Sequence, residues 1–179
     1  MNKDSEKSIC REFINSSNVI PPYNTNSSLI EDDREAPDFF LQDSKGNKIG
    51  LEVTSAYHNQ ELAKGYWKSV QYAKEGIDSY QDVVMSNPDK MLIPSIKNII
   101  EKKCKKDYGQ QCILIIHVVD PVWSDRKLKQ ILEISKSLKR NPFSVIYIGV
   151  VVPHSTEFSP NAGKMTFFRI HPSIKHTGI

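Results

Sequence analysis

The chain has 179 residues and a formal charge of +3, from 24 Lys and Arg against 21 Asp and Glu; this fits one domain, residues 1–179, with room for a sizeable core and only a mild pull on polyanions. Its three cysteines, Cys10, Cys104 and Cys112, are odd in number and form no CxxC pair, which argues against a disulfide framework or a zinc knuckle and for a reducing cytoplasm. The opening "MNKDSEKSIC" is charged and no apolar run approaches the ~18 residues of a membrane span, so neither a signal peptide nor a transmembrane helix is expected.

Along the chain, residues 5–15 read as a short helix with Ile9, Cys10, Phe13 and Ile14 on one side. "NSSNVIPPYNTNSS" follows, rich in Asn, Ser and Pro, and reads as a loop. "PDFFLQDSKGNKIGLEVTSA", Pro37 to Ala56, alternates like a half-buried hairpin. From Glu61 to about Met85 the residues Leu62, Tyr66, Val70, Ala73, Ile77, Tyr80 and Val84 recur at helical steps, predicting a long amphipathic helix that "SNPDK" breaks. Another helix is expected to begin near Pro94, a residue suited to a first turn, and to end around Gly109 with Ile96, Ile99, Ile100 and Cys104 inward. "CILIIHVV" is a continuous apolar run typical of a strand covered on both faces. Ser124 is placed to cap a further helix through about Arg140, with Leu128, Ile131, Leu132 and Leu138 inside. "FSVIYIGVVV" and "MTFFRI" supply two more strands, joined by "PHSTEFSPNAGK". No internal repeat interrupts this order, and the class it implies is α/β, a mixed central sheet flanked by helices.

The hairpin holds two acids. If "SKG", Ser44 to Gly46, is a three-residue turn with glycine in its left-handed position, Asp43 closes against Asn47, Leu41 faces Ile49, Phe39 faces Leu51 and Asp38 faces Glu52. Phe39, Leu41, Ile49, Leu51 and Val53 then share one face, and Asp38, Gln42, Lys48, Glu52 and Thr54 the other, with Phe40 alone breaking the alternation. Like charges directly opposed at about 4.5–5.5 Å between β-carbons are destabilising, so such a pair calls for something cationic between the acids. Two carboxylates on adjacent strands suit a hard divalent ion such as Mg²⁺, which keeps several waters and bridges to phosphate, and such an ion activates water and neutralises charge on a phosphoryl oxygen. The plain alternative is a pair of acids on a solvated hairpin face.

The stretch resembles the signature of the PD-(D/E)xK nuclease superfamily: "PD" at Pro37-Asp38 starts one strand, and "EVT", Glu52 to Thr54, ends the next at the place of the (D/E)xK triplet. The helix that follows and the strand "CILIIHVV" keep the family's order of elements, so the resemblance covers roughly residues 5–120 and leaves 121–179 as elaboration. It implies a restriction-endonuclease-like fold and metal-dependent hydrolysis of a phosphodiester by an activated water. Carried over residue by residue, Asp38 and Glu52 are the metal-binding carboxylates, the backbone carbonyl of Val53 completes the protein's share of an Mg²⁺ or Mn²⁺ site, and Glu12, with Glu6 as its alternative, is the acid from the first helix. Two departures stand out. Thr54 occupies the position of the motif lysine, so the missing cation is sought at Lys48 on the same face or at Lys64 or Lys68 in the following helix. The family's core also has a strand before the "PD" strand, for which "SNVI" is the candidate.

"EKKCKKDYG" and "DRKLKQILEISKSLKR" concentrate positive charge on two helices. Basic residues in a last helical turn complement the dipole; beside a nuclease site they also track phosphates. His58 follows the "EVT" strand, His117 reads as a core residue of an apolar strand, His154 belongs to a loop, and Trp67 is the aromatic placed to stack on a base. No P-loop, dinucleotide fingerprint or GxSxG elbow is present. The expected function is therefore Mg²⁺-dependent cleavage of DNA, or alternatively RNA, in the cytoplasm and away from membranes. Its competitors are a non-catalytic nucleic-acid or protein binding module on the same fold and a small interaction protein unrelated to nucleases.

Overall fold

Six strands form one mixed sheet in the order in which they occur in the chain. The computed structural model describes residues 3–16, 27–31, 36–57, 88–118, 125–136, 141–151 and 165–171. Within them the elements are α1 (Lys3–Asn15), β1 (Ser28–Glu31), β2 (Phe39–Gln42), β3 (Lys48–Ala56), α2 (Pro88–Lys103), β4 (Cys112–Val118), α3 (Asp125–Lys136), β5 (Phe143–Val151) and β6 (Met165–His171). β1, β2 and β3 form an antiparallel meander, β3, β4 and β5 run parallel, and β6 returns antiparallel to β5. Together with the three helices this is the expected α/β class.

Asp43 builds the turn that sets the hairpin. Its N–H donates to the Asn47 carbonyl at 3.0 Å, and its carboxylate accepts from the N–H groups of Lys45 and Asn47 and from the Asn47 side-chain amide at 2.8–2.9 Å. Gly46 takes the left-handed conformation, φ +86°, that the third turn position requires. The ladder that follows pairs Gln42 with Lys48, Leu41 with Ile49, Phe40 with Gly50 and Phe39 with Leu51. Phe40, which breaks the alternation, is buried opposite a residue without a side chain. A Cβ on Gly50 would lie 2.4 Å from Cys112 Sγ and 2.9 Å from Pro37 Cγ, so the bare backbone there is what lets Pro37 pack down on β3.

The two faces of the sheet bury separate cores. On one, Phe39, Leu41, Leu51 and Val53 join Ile113, Ile115, Val145, Tyr147 and Phe167 under the α1 residues Ile9, Cys10, Phe13 and Ile14. Phe13 meets Tyr147 and Phe167 edge-on, with ring centroids 4.9 and 5.1 Å away. On the other face Leu114, Ile116, Val118, Ile146, Ile148 and Val150 lie under Leu92, Ile96 and Ile100 of α2 and Ile131 of α3. β4 is apolar except for the partly buried His117, as suits a strand covered on both sides.

Several boundaries differ from the expected ones. α2 starts at Pro88 rather than near Pro94: Pro88 takes the N-terminal place that suits proline, and Pro94 lies inside the helix on its exposed side, its ring away from the packed stripe. The helix stops at Lys103, and the residues up to Gly109 form turns, with Gly109 at φ +65° before β4. A described strand before the "PD" strand is Ser28–Glu31, which pairs with β2; the expected "SNVI" lies outside the described residues. α3 is described as Asp125–Lys136, so Ser124 and the stretch up to Arg140 lie outside the described residues, as does the long helix expected from Glu61 to Met85.

Candidate functional site

Glu52 is the one acid set into the interior of β3. Alternation puts it on the same face as Gly50, Thr54 and Ala56, beside Leu114 of β4 and beneath α2, and its side chain is 1% exposed. A carboxylate taken out of water there is costly unless it is paired. The partner is Lys103, the last residue of α2, whose ammonium contacts Glu52 Oε1 and whose side chain keeps 19% of its surface. Glu52 Oε2 is buried outside that contact. Burial pushes the Glu52 carboxyl above the ordinary carboxylate value; the Lys103 contact opposes that, and the negative charge of Asp38 adds to it.

Asp38 stands just ahead of β2, at the position the register sets against Glu52. Its Oδ2 accepts the Val53 N–H at 2.8 Å, so the side chain ties the start of β2 to β3 just past the last ladder pair. Lys3 at the start of α1 donates to the Asp38 carbonyl at 3.1 Å and lies over the Phe39 ring, 4.9 Å from its centroid. Glu6, one turn into α1, is half-buried; burial first, and then the charge on Asp38, raises its pKa. Asp38 also adds, after burial, to the upward shift of the Cys10 thiol.

The structure thus places Glu52, Val53 and Thr54 in succession on β3 with Asp38 bonded to the Val53 N–H, Glu6 as the α1 acid coupled to Asp38, and Glu12 exposed further along that helix. Thr54 is half-buried two residues beyond Glu52 on the same face. Lys48 shares that face but stands four residues back along the strand, about 13 Å away, and exposed. Lys64, Lys68, His58 and Trp67 lie outside the described residues. Among the described residues the cation in contact with Glu52 is Lys103, with Lys106 adding its charge. Sequence spacing does not find it, because the pair spans 51 positions and the lysine run at the end of α2 also satisfies the helix dipole.

Tyr108 is a second residue that spacing does not find. It is 3% exposed, packs against Phe143 with centroids 5.1 Å apart, and its hydroxyl is buried beside the Glu52 carboxylate. Burial, then the charge on Glu52, holds its ionisation well above the usual range, so it stays a neutral phenol. Tyr108 also lines an open polar cleft of about 340 Å³ with Lys106, Gln110, Asn141 and Ser144. His117 is largely buried on β4 and burial pushes it down to about 4, which keeps it neutral at pH 7 and fits a core role.

Among the described residues no three His, Cys, Asp or Glu side chains converge to hold a metal ion. The two acids that the sequence reading assigns to a metal, Asp38 and Glu52, are electrostatically coupled to one another. Mg²⁺ is commonly held through one or two carboxylates with waters filling the rest, and Glu52 Oε2, outside the Lys103 contact, is the buried atom such an ion would meet. Among the described residues no helix is long and apolar enough to cross a membrane. Compared with known proteins, the chain matches no family model, no curated protein and no solved structure.

Proposed function

We propose that the chain is a Mg²⁺- or Mn²⁺-dependent nuclease with a restriction-endonuclease-like core, hydrolysing phosphodiester bonds in DNA, with RNA as the alternative substrate. The observation that carries this reading is that Asp38, tied to β3 through the Val53 N–H, lies close enough to the buried Glu52 for its charge to raise that carboxyl. The order helix, strand, "PD" strand, "EVT" strand, helix, apolar strand supports it, since β1 supplies the strand that the resemblance requires before Asp38.

On this reading Asp38 and Glu52 hold the ion, with the Val53 carbonyl adjoining, and the bound metal supplies water activation and charge neutralisation at the phosphoryl group. The chain's own residues do the rest. The Val53 N–H orients Asp38 through Oδ2, the apolar wall around Leu114 keeps water from Glu52, and Lys103 supplies the positive charge that Thr54 lacks. Lys106 and the cleft beside Tyr108 offer a polar path for the nucleic-acid backbone.

A specific observation favours a second reading, a catalytically silent nucleic-acid or protein binding module. The Glu52 carboxylate is already engaged by Lys103, and no third ligand converges on the pair among the described residues. One experiment separates the two. Plasmid, single-stranded DNA and RNA are incubated with the protein in Mg²⁺, Mn²⁺ or EDTA, alongside Asp38→Ala and Glu52→Ala. The nuclease reading expects metal-dependent cleavage lost by at least about a hundredfold in both variants, since disturbing even the outer shell of a metal site costs 10–100-fold. Cleavage that survives in either variant overturns the mechanism. Salt-sensitive binding without cleavage selects the binding module.

A further inference from the structure

We propose that Lys103 is a resident stand-in for the metal: its ammonium holds Glu52 in the free protein, gives the carboxylate up when a divalent ion binds, and is then the cation that Thr54 does not supply. This rests on the reading of Asp38 and Glu52 as metal ligands.

Three observations converge on it. The Glu52 side chain is 1% exposed in an apolar wall, so the free protein needs a positive partner there, and Lys103 is that partner. The contact is one-sided: the ammonium meets Oε1 alone, and the buried Tyr108 hydroxyl is the neutral polar group on the inner side of the carboxylate. An ammonium carries three donors, and this one engages a single oxygen, so it can withdraw without breaking a bidentate pair. Lys103 also has somewhere to go. It is the terminal residue of α2, it retains 19% of its side-chain surface, and its long stem lets the charged head move to solvent or to an incoming phosphate.

The electrostatics force a choice. A dication and an ammonium cannot share one small carboxylate without strong mutual repulsion in a partly desolvated site. Binding of the ion and release of Lys103 are therefore one event. In the free protein the lysine offsets part of the repulsion that Asp38 exerts on Glu52; in the loaded protein the ion takes over that duty.

The test uses the metal alone, without nucleic acid. Ca²⁺ and Mg²⁺ are titrated calorimetrically into the full chain and into Lys103→Met, Lys103→Arg and Asp38→Asn. Removing the competitor should tighten binding in Lys103→Met by roughly tenfold, the equivalent of about 1.4 kcal/mol, while Lys103→Arg stays near the parent and Asp38→Asn loses binding. In parallel, the side-chain carbon and nitrogen NMR signals of Lys103 in the unmodified protein should move on Mg²⁺ addition and stay still in Asp38→Asn. Equal or weaker metal binding in a folded Lys103→Met, with the parent still binding, overturns the displacement and leaves the metal reading standing. A Lys103 signal unmoved by saturating Mg²⁺ overturns it without any variant that needs to fold. If the parent and Lys103→Met both fail to bind either ion, the metal reading falls and this inference with it.

Discussion

Leu51 and Glu52 are consecutive residues of β3, both almost fully buried, yet they enter two different interiors. Leu51 joins a dry core in which α1 lays Ile9, Phe13 and Ile14 over the sheet and three aromatic rings meet edge to face. Glu52 enters the core under α2, where an acid, a lysine and a buried phenol interrupt an otherwise apolar wall. The first side has what a fold needs and nothing more. The second carries polar groups at a cost that apolar residues of the same size would avoid, and a cost of that kind is tolerated where it serves function. On the proposed reading, the residue that would do chemistry and the residue that packs the α1 core are neighbours on one strand.

The contrast can be broken from either side. Phe13→Ala should hit hardest, losing about 3–5 kcal/mol by emptying the aromatic cluster, with metal-dependent cleavage per folded molecule unchanged; chemical denaturation and a cleavage assay at low temperature check both halves. Next, the double variant Glu52→Met with Lys103→Met removes the polar breach as a unit. It should be neutral or more stable by roughly 1–4 kcal/mol and devoid of metal-dependent cleavage, and a marked loss of stability in it would mean that the pair is structural. Gly50→Ala forces a methyl group against Cys112 Sγ and Pro37, and overpacking of this kind costs about 1–3 kcal/mol; measured by denaturation, it should also loosen metal binding through Asp38.

The smallest effect is a slope. Burial, opposed by Lys103 and reinforced by Asp38, leaves the Glu52 carboxyl above its ordinary 4.5. The native chain then binds that proton more tightly than the unfolded chain. This contribution to stability is complete below the ordinary value and is lost as pH rises through the raised native one. Thermal melts from pH 4 to 7 should show the parent losing stability relative to Glu52→Gln as pH rises. Glu6 shifts in the same direction and supplies the same background in both.

The hairpin was legible in the sequence almost residue for residue, because its register depends on local chemistry: Asp43, Asn47 and Gly46 set the turn, and period-two alternation does the rest. The stripe Ile9, Cys10, Phe13 and Ile14 on α1 was legible for the same reason. β1 was not, since four residues in an Asn- and Ser-rich neighbourhood carry no periodicity of their own and are held by pairing with β2. Pro94 misplaced the start of α2 because Pro88 offers the same signal six positions earlier, and only packing of Leu92 chooses between them. At the site, the acids could be read and their cation could not. A strand acid announces itself by breaking an apolar pattern, whereas Lys103 is one of several lysines in "EKKCKKDYG" and is singled out only by where α2 ends over the sheet.

The turn at Ser44–Gly46 has a consequence for how this chain tolerates change in length. From Asn47 to Glu52 is about 17 Å of extended strand, and over that span the turn acts as a phase setting. A single inserted residue that carries into the ladder would swing Leu51 and Val53 toward α2 and drive Glu52 into the rings of Phe13 and Tyr147. Insertions and deletions in the turn are thus compatible with both cores only when they are absorbed there or come in twos, so a solvent-exposed loop governs which of the two interiors receives Glu52.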